Sequence, residues 1–344
     1  MRVSVAIGGY AGVDPTGVIE FVQEAERLGV DEVWTAEAWG QDAITPLAFI
    51  AGHTSKIKLG TGIMQISARR PSMTAMTAMS LNKLSGGRFQ LGLGASGPQV
   101  VEGLHGVPYK GPLTRLKENV DIIRMGFRGE RVAYEGQYYT LPLPDGEGKA
   151  IRIDQPPAAD IPIYLATLGP KSLEYTGAAA DGWLGTTFSP DHAEAHLAHI
   201  RKGAESAGRT LSDLDLHVSC GIEIGENVEE MVSARKPQIA FSMGAMGSAK
   251  TNFYNEAMQR SGYADEAKAI QKMWIEGKRK EAAELVPDVM VQEFGAYGTE
   301  DMVRARIQTY KSVGIRTLGL GMGGGSHRDK MEELGRVVDL VKSI

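Results

Sequence analysis

The sequence contains one cysteine among its 344 residues, Cys220, which excludes both an internal disulfide and a metal site built from cysteines. Long apolar runs are also missing, so we expect no membrane-spanning helix and no membrane partner. Basic tracts are absent too: 37 basic and 42 acidic residues give a net charge of −5, and we expect no nucleic-acid partner. Residues Met1 to Ile7 enter a strand pattern without the features of a signal peptide, which predicts a cytoplasmic protein.

What the sequence does contain is a regular alternation of short apolar strand patterns with helix patterns. Eight of each are present, and the length suits one barrel of about 250 residues with insertions. We therefore predict an α/β fold, a (β/α)8 TIM barrel that forms a single domain over residues 1–344. The predicted strands span residues 3–8, 32–36, 57–63, 89–93, 161–166, 183–186, 216–224 and 317–320. The predicted helices span residues 15–28, 45–54, 71–84, 113–127, 170–180, 190–207, 299–313 and 327–341.

Three segments interrupt this alternation and are predicted insertions, at about 95–111, 131–159 and 227–287. The second is rich in tyrosine and proline, and we interpret it as an ordered excursion with a short hairpin. The third is the largest and follows strand seven. It is mostly helical, with a predicted glycine- and methionine-rich turn at 241–247. A lid or substrate-pocket role and a helical pair for dimer packing are equally open for this insertion.

The stretch from Lys58 to Gly106 predicts a cofactor site. Its two strands are bounded by glycines, flank the helix Pro71–Leu84, and end in glycine-rich turns at 60–62 and 92–97. In parallel α/β proteins, ligands bind at the carboxyl ends of strands. Glycines there let backbone N–H groups approach a flat ring or a phosphate closely. We therefore predict that a cofactor binds at these two turns.

Four motifs carry a family resemblance: LGTGI at 59–63 with Arg70-Pro71, LSGGRFQLGLG at 84–94, AADGW at 179–183 with Thr186, and the glycine-rich segment 319–329. They resemble motifs of the bacterial luciferase-like superfamily, most closely its coenzyme F420-dependent hydride transferases, to which the methylenetetrahydromethanopterin reductases belong. The resemblance implies an oxidoreductase that transfers a hydride between coenzyme F420 and an unidentified small organic substrate. An FMN-dependent luciferase-like monooxygenase and a non-catalytic cofactor-binding barrel remain open as alternatives.

The same resemblance implies where the cofactor binds. A non-prolyl cis peptide bond between Gly62 and Ile63 would support the isoalloxazine ring. A phosphate of the cofactor would lie near the starts of helices five and eight and the end of strand six, where backbone N–H groups and Arg328 suit an anion. For Arg328, a solvated helix face is an equal alternative. The implied cofactor-binding residues are Gly62, Ile63, Met64, Ser96, Gly97, Thr167, Leu168, Gly169, Gly182, Gly185, Thr186 and Arg328.

Three residues are candidates for catalysis. Relatives place an acidic residue and a histidine after strand two, whereas this sequence keeps Glu37 but has Ala38 and Trp39 where the histidine would stand. Glu37 is either a carboxylate near the ring or a buried partner for a barrel arginine. We predict that Trp39 forms a pocket wall and that His105 is a candidate general acid. Several relatives also carry an acid just after the turn of strand four, where this sequence reads Ser96-Gly97-Pro98-Gln99. The missing histidine and the missing acid together argue against sugar-phosphate substrates.

We predict no metal site. His192, His196 and His199 follow helical spacing, but no carboxylate motif accompanies them, and we interpret their face as solvated or as an interface. A homodimer is predicted from small and methionine side chains on helix three, although a buried core explains this stripe equally well. The residues of the stripe are Ala75, Met76, Ala78 and Met79.

Overall fold

The computed structural model describes residues 1–7, 15–248, 250–321 and 327–344. In these residues the strands are β1 (Arg2–Ile7), β2 (Glu32–Thr35), β3 (Lys58–Thr61), β4 (Met64–Gln65), β5 (Phe89–Gly94), β6 (Tyr134–Glu135), β7 (Thr140–Leu141), β8 (Ile163–Leu165), β9 (Gly182–Gly185), β10 (Asp215–Ile224), β11 (Gly295–Gly298) and β12 (Thr317–Gly321). The helices are α1 (Pro15–Arg27), α2 (Ile44–Ala51), α3 (Pro71–Leu84), α4 (Pro98–Gly103), α5 (Pro112–Phe127), α6 (Pro170–Ala179), α7 (Glu194–Ser206), α8 (Val228–Ala245), α9 (Phe253–Arg260), α10 (Ala264–Ile275), α11 (Arg279–Glu284), α12 (Asp288–Glu293), α13 (Glu300–Ser312) and α14 (His327–Lys342). None of these helices is long and apolar enough to cross a membrane.

The parallel strands follow the order β11-β10-β12-β1-β2-β3-β5-β8-β9, and β9 also pairs with β10. Without β11 this is a closed order of eight strands that alternate with helices along the chain, so the predicted (β/α)8 TIM barrel is confirmed. The predicted strand 57–63 is interrupted, since β3 ends at Thr61 and β4 begins at Met64. The sequence does not predict β11 because two of its four residues, Gly295 and Gly298, are glycines, which weaken a strand pattern.

The described chain divides into two compact units. The first unit comprises residues 7–23 and 32–166, and the second comprises residues 1–6, 24–31 and 167–344. The single domain over residues 1–344 stays a prediction.

In the first unit the barrel strands carry buried aliphatic and aromatic side chains. These are Val33, Leu59, Phe89, Leu91, Leu93 and Ile163. Helix α3 has its predicted bounds and packs on α5, and Ala75, Ala78 and Met79 are buried in this core. The stripe on α3 is therefore a core stripe. The homodimer loses this support and stays a prediction.

The second insertion contains the predicted hairpin, in which β6 pairs antiparallel with β7. A buried carboxylate on α5 holds the turn of this hairpin. Glu118 Oε1 accepts the N–H of Gln137 at 2.7 Å, and Glu118 Oε2 accepts those of Tyr138 and Tyr139 at 2.9 Å each. Three hydrogen bonds to a charged acceptor are strong, and they fix the backbone of both tyrosines against α5.

In the second unit, helices α8 to α12 pack around a core of their own. Its largest members are Val232, Met243, Met258, Tyr263, Ile270, Val286 and Met290. The insertion is mostly helical, as predicted. The turn predicted at 241–247 is wrong in its first part, because α8 continues to Ala245 and packs Met243 into this core, which overrides the low helix propensity of its glycine.

The sequence predicts that His196 lies on a solvated or interface face of the sixth predicted helix, at 190–207, and this prediction is wrong. The predicted helix begins with a 3₁₀ turn, and α7 starts only at Glu194, so His192 does not belong to the same helix. His196 is fully buried, with ring centroids 5.6 Å from Trp183 and 5.9 Å from Phe188, and burial lowers the pKa of His196 to about 4. His196 is therefore a core residue. Within the described residues, no three His, Cys, Asp or Glu side chains form a group that could hold a metal ion.

Helices α6 and α7 of the second unit approach each other closely at two glycines. A Cβ on Gly177 would lie 1.9 Å from the carbonyl oxygen of Ile200, and a Cβ on Gly203 would lie 1.8 Å from that of Glu174. The backbone cannot rotate aside as the end of a side chain can, so the contact requires glycine at both positions.

We expect Gly203→Ala to lower the free energy of unfolding by about 1–3 kcal/mol or more, because the two helices must separate. Urea denaturation followed by circular dichroism measures this loss. Gly103→Ala at the end of α4 is the control, since a Cβ there would meet no atom within 4 Å. If both variants were as stable as the wild type, the close helix contact would be disproved.

Candidate cofactor site

The ends of β2, β3, β4 and β5 in the first unit form a connected backbone arrangement. The peptide bond between Gly62 and Ile63 is cis, at the place where the family resemblance implies one. The N–H of Gly62 donates to the carbonyl oxygen of Thr35 at 2.6 Å, and the N–H of Glu37 donates to that of Ile63 at 3.2 Å. Gly62 is exposed, Ile63 is half-buried and Met64 is fully buried. The backbone at 62–63 is therefore accessible, whereas the side chain of Met64 belongs to the core.

Gly94, at the end of β5, leaves space for the side chain of Ile63. A Cβ on Gly94 would lie 2.5 Å from Ile63 Cδ1 and 3.5 Å from two further atoms of Ile63. Ile63 would have to move if residue 94 carried a side chain. We call the backbone of Gly62 and Ile63, together with Gly94, the ring bed.

The sequence leaves two roles open for Glu37, and the structure shows the second of them: Glu37 is the buried partner of a barrel arginine. Its carboxylate forms an ion pair with Arg69, accepts the N–H of Gln65 at 2.7 Å and accepts that of Ala43 at 3.3 Å. The Gln65 side-chain amide donates to the carbonyl oxygens of Glu37 and Ala38 at 3.1 and 3.2 Å. Gln65 Oε1 is buried and has no hydrogen-bond partner within the described residues. Glu37 thus positions the strand ends.

The other two catalytic candidates lie apart from this network. Trp39 follows β2, and its side chain is 67% exposed. His105 follows α4 and is half-buried, and its Nε2 is buried without a hydrogen-bond partner in the described part of the chain. The roles of Trp39 as a pocket wall and of His105 as a general acid stay predictions.

Ser96 and Gly97 form the turn after β5. Ser96 has a φ of +59°, a left-handed conformation that is uncommon for a residue with a side chain. Its carbonyl oxygen accepts the hydroxyl of Tyr109 at 3.1 Å, and burial raises the pKa of that hydroxyl to about 12. Gly97 has an extended conformation and precedes the first residue of α4. Cofactor contacts at both residues stay predictions.

A cavity of about 450 Å³ opens at the same strand ends, within the first unit. It is lined by residues that follow β4 and β5, by the loop before α5 and by the hairpin. Its cationic members are Arg69, Arg70, Lys110 and Arg115.

The second unit contains the loop for which the resemblance implies phosphate contacts. The Thr167 hydroxyl is hydrogen-bonded to that of Thr176 at 2.7 Å, and the Thr167 carbonyl oxygen accepts the indole N–H of Trp183 at 3.0 Å. Arg260 Nη2 donates a hydrogen bond to the carbonyl oxygen of Leu168 at 2.7 Å. Arg260 Nε is buried and has no hydrogen-bond partner among the described residues. Sequence reasoning missed Arg260, because it lies on α9 of the insertion and belongs to none of the motifs.

Gly169 precedes α6, while Gly185 and Thr186 lie at the carboxyl end of β9. Cofactor contacts at Thr167, Leu168, Gly169, Gly185 and Thr186 stay predictions. The structure separates Gly182 from this group, because Gly182 is the first residue of β9 and therefore lies at its amino end. Ligands bind at the opposite ends of strands in barrels of this type. A cofactor contact at Gly182 stays a prediction that its position at the amino end of β9 does not support.

Arg328 is solvated, which is the alternative that the sequence leaves open. Its side chain is 85% exposed and forms an ion pair with Glu332, one turn further along α14, with 2.8 Å between Nε and Oε1. The glycine-rich turn predicted before it, at 323–325, lies outside the described residues. The structure thus gives Arg328 a partner on its own helix, and a phosphate contact at Arg328 stays a prediction.

The fold and these strand ends define a (β/α)8-barrel protein with a candidate ligand site at the carboxyl ends of its strands, the usual place for an active site in this fold. The chain belongs to the luciferase-like monooxygenase family, whose model matches residues 2–317. The predicted membership of the luciferase-like superfamily is confirmed.

Three proteins illustrate the similarity. A putative coenzyme F420-dependent oxidoreductase of Mycobacterium tuberculosis is 38% identical over 323 residues, which cover 92% of this chain and 93% of the relative. The 5,10-methylenetetrahydromethanopterin reductase of Methanolobus tindarius is 30% identical and covers 92% of this chain and 93% of the relative. The solved structure of the coenzyme F420-dependent tetrahydromethanopterin reductase from Methanopyrus kandleri matches with a TM-score of 0.79 and 25% identity over 97% of both chains.

The role of Glu37 can be tested by stability. We expect Glu37→Ala to lower the free energy of unfolding by roughly 2–4 kcal/mol, because Arg69 and two backbone N–H groups lose their acceptor. Glu37→Gln keeps the shape and an acceptor, so its loss should be smaller. Urea denaturation of both variants measures the difference. An alanine variant as stable as the wild type would disprove the positioning role.

Proposed function

We propose that this protein is an enzyme, an oxidoreductase that transfers a hydride between coenzyme F420 and a small organic substrate. The observation that carries the proposal is the 38% identity with a putative F420-dependent oxidoreductase across 92% of the chain. The similarity to a methylenetetrahydromethanopterin reductase over the same share of the chain supports it independently.

The residues at the ends of β3, β4 and β5 fit a flat ring in three respects. The backbone at Gly62 is exposed, so that a ring can approach it. Gly94 carries no side chain, and Ile63 occupies the space that a Cβ at this position would fill. Gln65 Oε1 is a buried acceptor without a partner in the described residues, which suits an N–H group of a ring.

F420, when bound, supplies the hydride chemistry. The protein's own residues bind and orient the cofactor and the substrate, and they exclude water. The backbone of Gly62 and Ile63 would hold the ring of the cofactor, and the Ile63 side chain borders this place at Gly94. Glu37 positions β4 through Gln65 and holds Arg69 at the edge of the cavity. His105 Nε2 is our candidate for the atom that holds a proton during turnover.

Cofactor choice is the direct test of this function. We expect F420 to bind at least about tenfold more tightly than FMN, a difference of about 1.4 kcal/mol. Fluorescence titration of the purified protein with each cofactor measures both affinities. Tight binding of FMN without any response to F420 would instead support the luciferase-like monooxygenase. No binding of either cofactor would contradict both activities.

Gly94→Ala tests the ring bed. We expect the variant to keep its melting temperature within a few degrees but to lose at least about fivefold in F420 affinity, because the Ile63 side chain at the ring bed must move. Gly52→Ala is the matched control in the same unit, since its Cβ would meet only the carbonyl oxygen of Phe49 at 3.7 Å. Unchanged F420 affinity in Gly94→Ala would place the ring elsewhere.

A further inference from the structure

The cavity of the first unit shares its strand ends with the ring bed. Its volume is about 450 Å³, within the range of pockets for small organic molecules. Ile66 and Ala95 in its wall directly follow β4 and β5, and Tyr138 and Tyr139 of the hairpin form another part of it. A ligand in this cavity would therefore lie at the same end of the strands as the ring bed.

The charge of the cavity is strongly one-sided. Four cationic side chains line it, and no aspartate or glutamate of the described residues does. Arg69 is neutralised by Glu37. Arg70 and Lys110 are exposed and have no ion-pair partner in the described chain. The nearby carboxylates of Glu37 and Glu118 are already bound, by Arg69 and by backbone N–H groups of the hairpin. Cations that line a concave surface with no acidic side chain in its lining create a positive potential that attracts an anion.

The fourth cation is held in the wall by two contacts. The Arg115 guanidinium carbon lies 4.2 Å from the centroid of the Tyr138 ring, and Arg115 Nε donates to the carbonyl oxygen of Lys110 at 3.0 Å. Stacking and a backbone hydrogen bond restrict this side chain, so less freedom is lost when it binds a ligand. Its remaining N–H groups are suited to a carboxylate or a phosphate.

A buried hydroxyl in the cavity wall also lacks an acceptor. Ser67 Oγ is buried and has no hydrogen-bond partner within the described residues. The hydroxyl of Tyr109, in contrast, is already bound to the carbonyl oxygen of Ser96. Buried polar groups in folded proteins are nearly always hydrogen-bonded, so this hydroxyl is available to a ligand that enters the cavity. An oxyanion is a ligand that suits both a hydroxyl donor and cations.

We propose that this cavity binds the anionic group, a carboxylate or a phosphate, of the organic substrate. The inference rests on the proposed function, because it assigns a substrate to the F420-dependent reaction. Arg69 is linked to the ring bed through Glu37, whose backbone N–H binds the carbonyl oxygen of Ile63. The cavity therefore anchors the charged end of the substrate close to the ring bed and selects acidic substrates over neutral ones.

The test compares two double variants that each remove two positive charges. Arg70→Ala with Lys110→Ala removes the exposed cations of the cavity. Lys83→Ala with Lys149→Ala removes two exposed lysines elsewhere in the first unit and is the matched control. Isothermal titration calorimetry with citrate and with inorganic phosphate, at constant ionic strength, measures anion binding, and glycerol serves as the uncharged probe.

We expect citrate or phosphate to bind the wild type and the control with equal affinity and the cavity variant at least about tenfold more weakly. Glycerol should bind none of them. Failure of both anions to bind the wild type would overturn the proposal, as would equal binding to the cavity variant. Thermal melting of all three proteins verifies that the variants are folded.

F420 titration of the same proteins separates the substrate from the cofactor as the source of the anion. Equal F420 affinities support the substrate. A loss of about tenfold or more in the cavity variant alone would overturn the proposal, because the cavity would then bind an anionic group of the cofactor. If no form bound F420 while citrate still distinguished the variants, the proposed function would fail and the anion site would remain.

Discussion

Strand β4 pairs with β5 in a position that depends on hydrogen bonds from the end of β2. The chain leaves the barrel register after Thr61 and resumes pairing at Met64 opposite Leu93. Between these points, backbone hydrogen bonds join Gly62 to Thr35 and Ile63 to Glu37. The Glu37 carboxylate then holds the first residues beyond the interruption and the guanidinium of Arg69. The ring bed and one wall of the cavity therefore share a single support, and their relative geometry depends on one buried acidic side chain.

Two glycines in the strands of the first unit leave space for large side chains: Gly60 for Trp34 and Gly94 for Ile63. A Cβ on Gly60 would lie 2.3–2.5 Å from atoms of the Trp34 indole, which donates to Glu32 and meets Tyr164 edge to face at 5.3 Å. Such a ring cannot move aside as readily as Ile63, whose terminal methyl group lies over Gly94. The two glycines thus differ in function: one accommodates a rigid core residue, and the other accommodates a side chain that borders the ring bed.

Much of the fold could be predicted because strand and helix patterns are local. Helix α3 has its predicted bounds since Pro71 suits a first helical turn and the apolar spacing ends at Leu84. Contacts between distant residues could not be predicted in this way. Glu118 lies on an ordinary helix, and its role appears only when Tyr138, twenty residues later, folds over it. Likewise Arg260 reaches Leu168 across 92 residues.

The motifs located the candidate site better than they assigned its side chains. They placed the glycine turns at strand ends correctly, because glycines there reflect the local path of the backbone. They did not determine which partner a long side chain finds. Arg328 was placed by its position after a glycine-rich segment, but it pairs with Glu332 on its own helix. Gly182 was included because its motif spans β9, and the structure places it at the amino end of that strand.

The hairpin of β6 and β7 is attached to α5 through backbone N–H groups that donate to Glu118. Backbone hydrogen bonds of this kind do not use the side chains of the residues that donate them. Glu118 therefore positions the turn through its backbone, while the Tyr139 side chain is buried and the Tyr138 ring packs against Arg115. The segment 142–152 that follows β7 is largely exposed, with Leu143 73% and Ile151 72% accessible to solvent. Contacts made through the backbone separate the position of the turn from the identity of its side chains, two of which line the cavity.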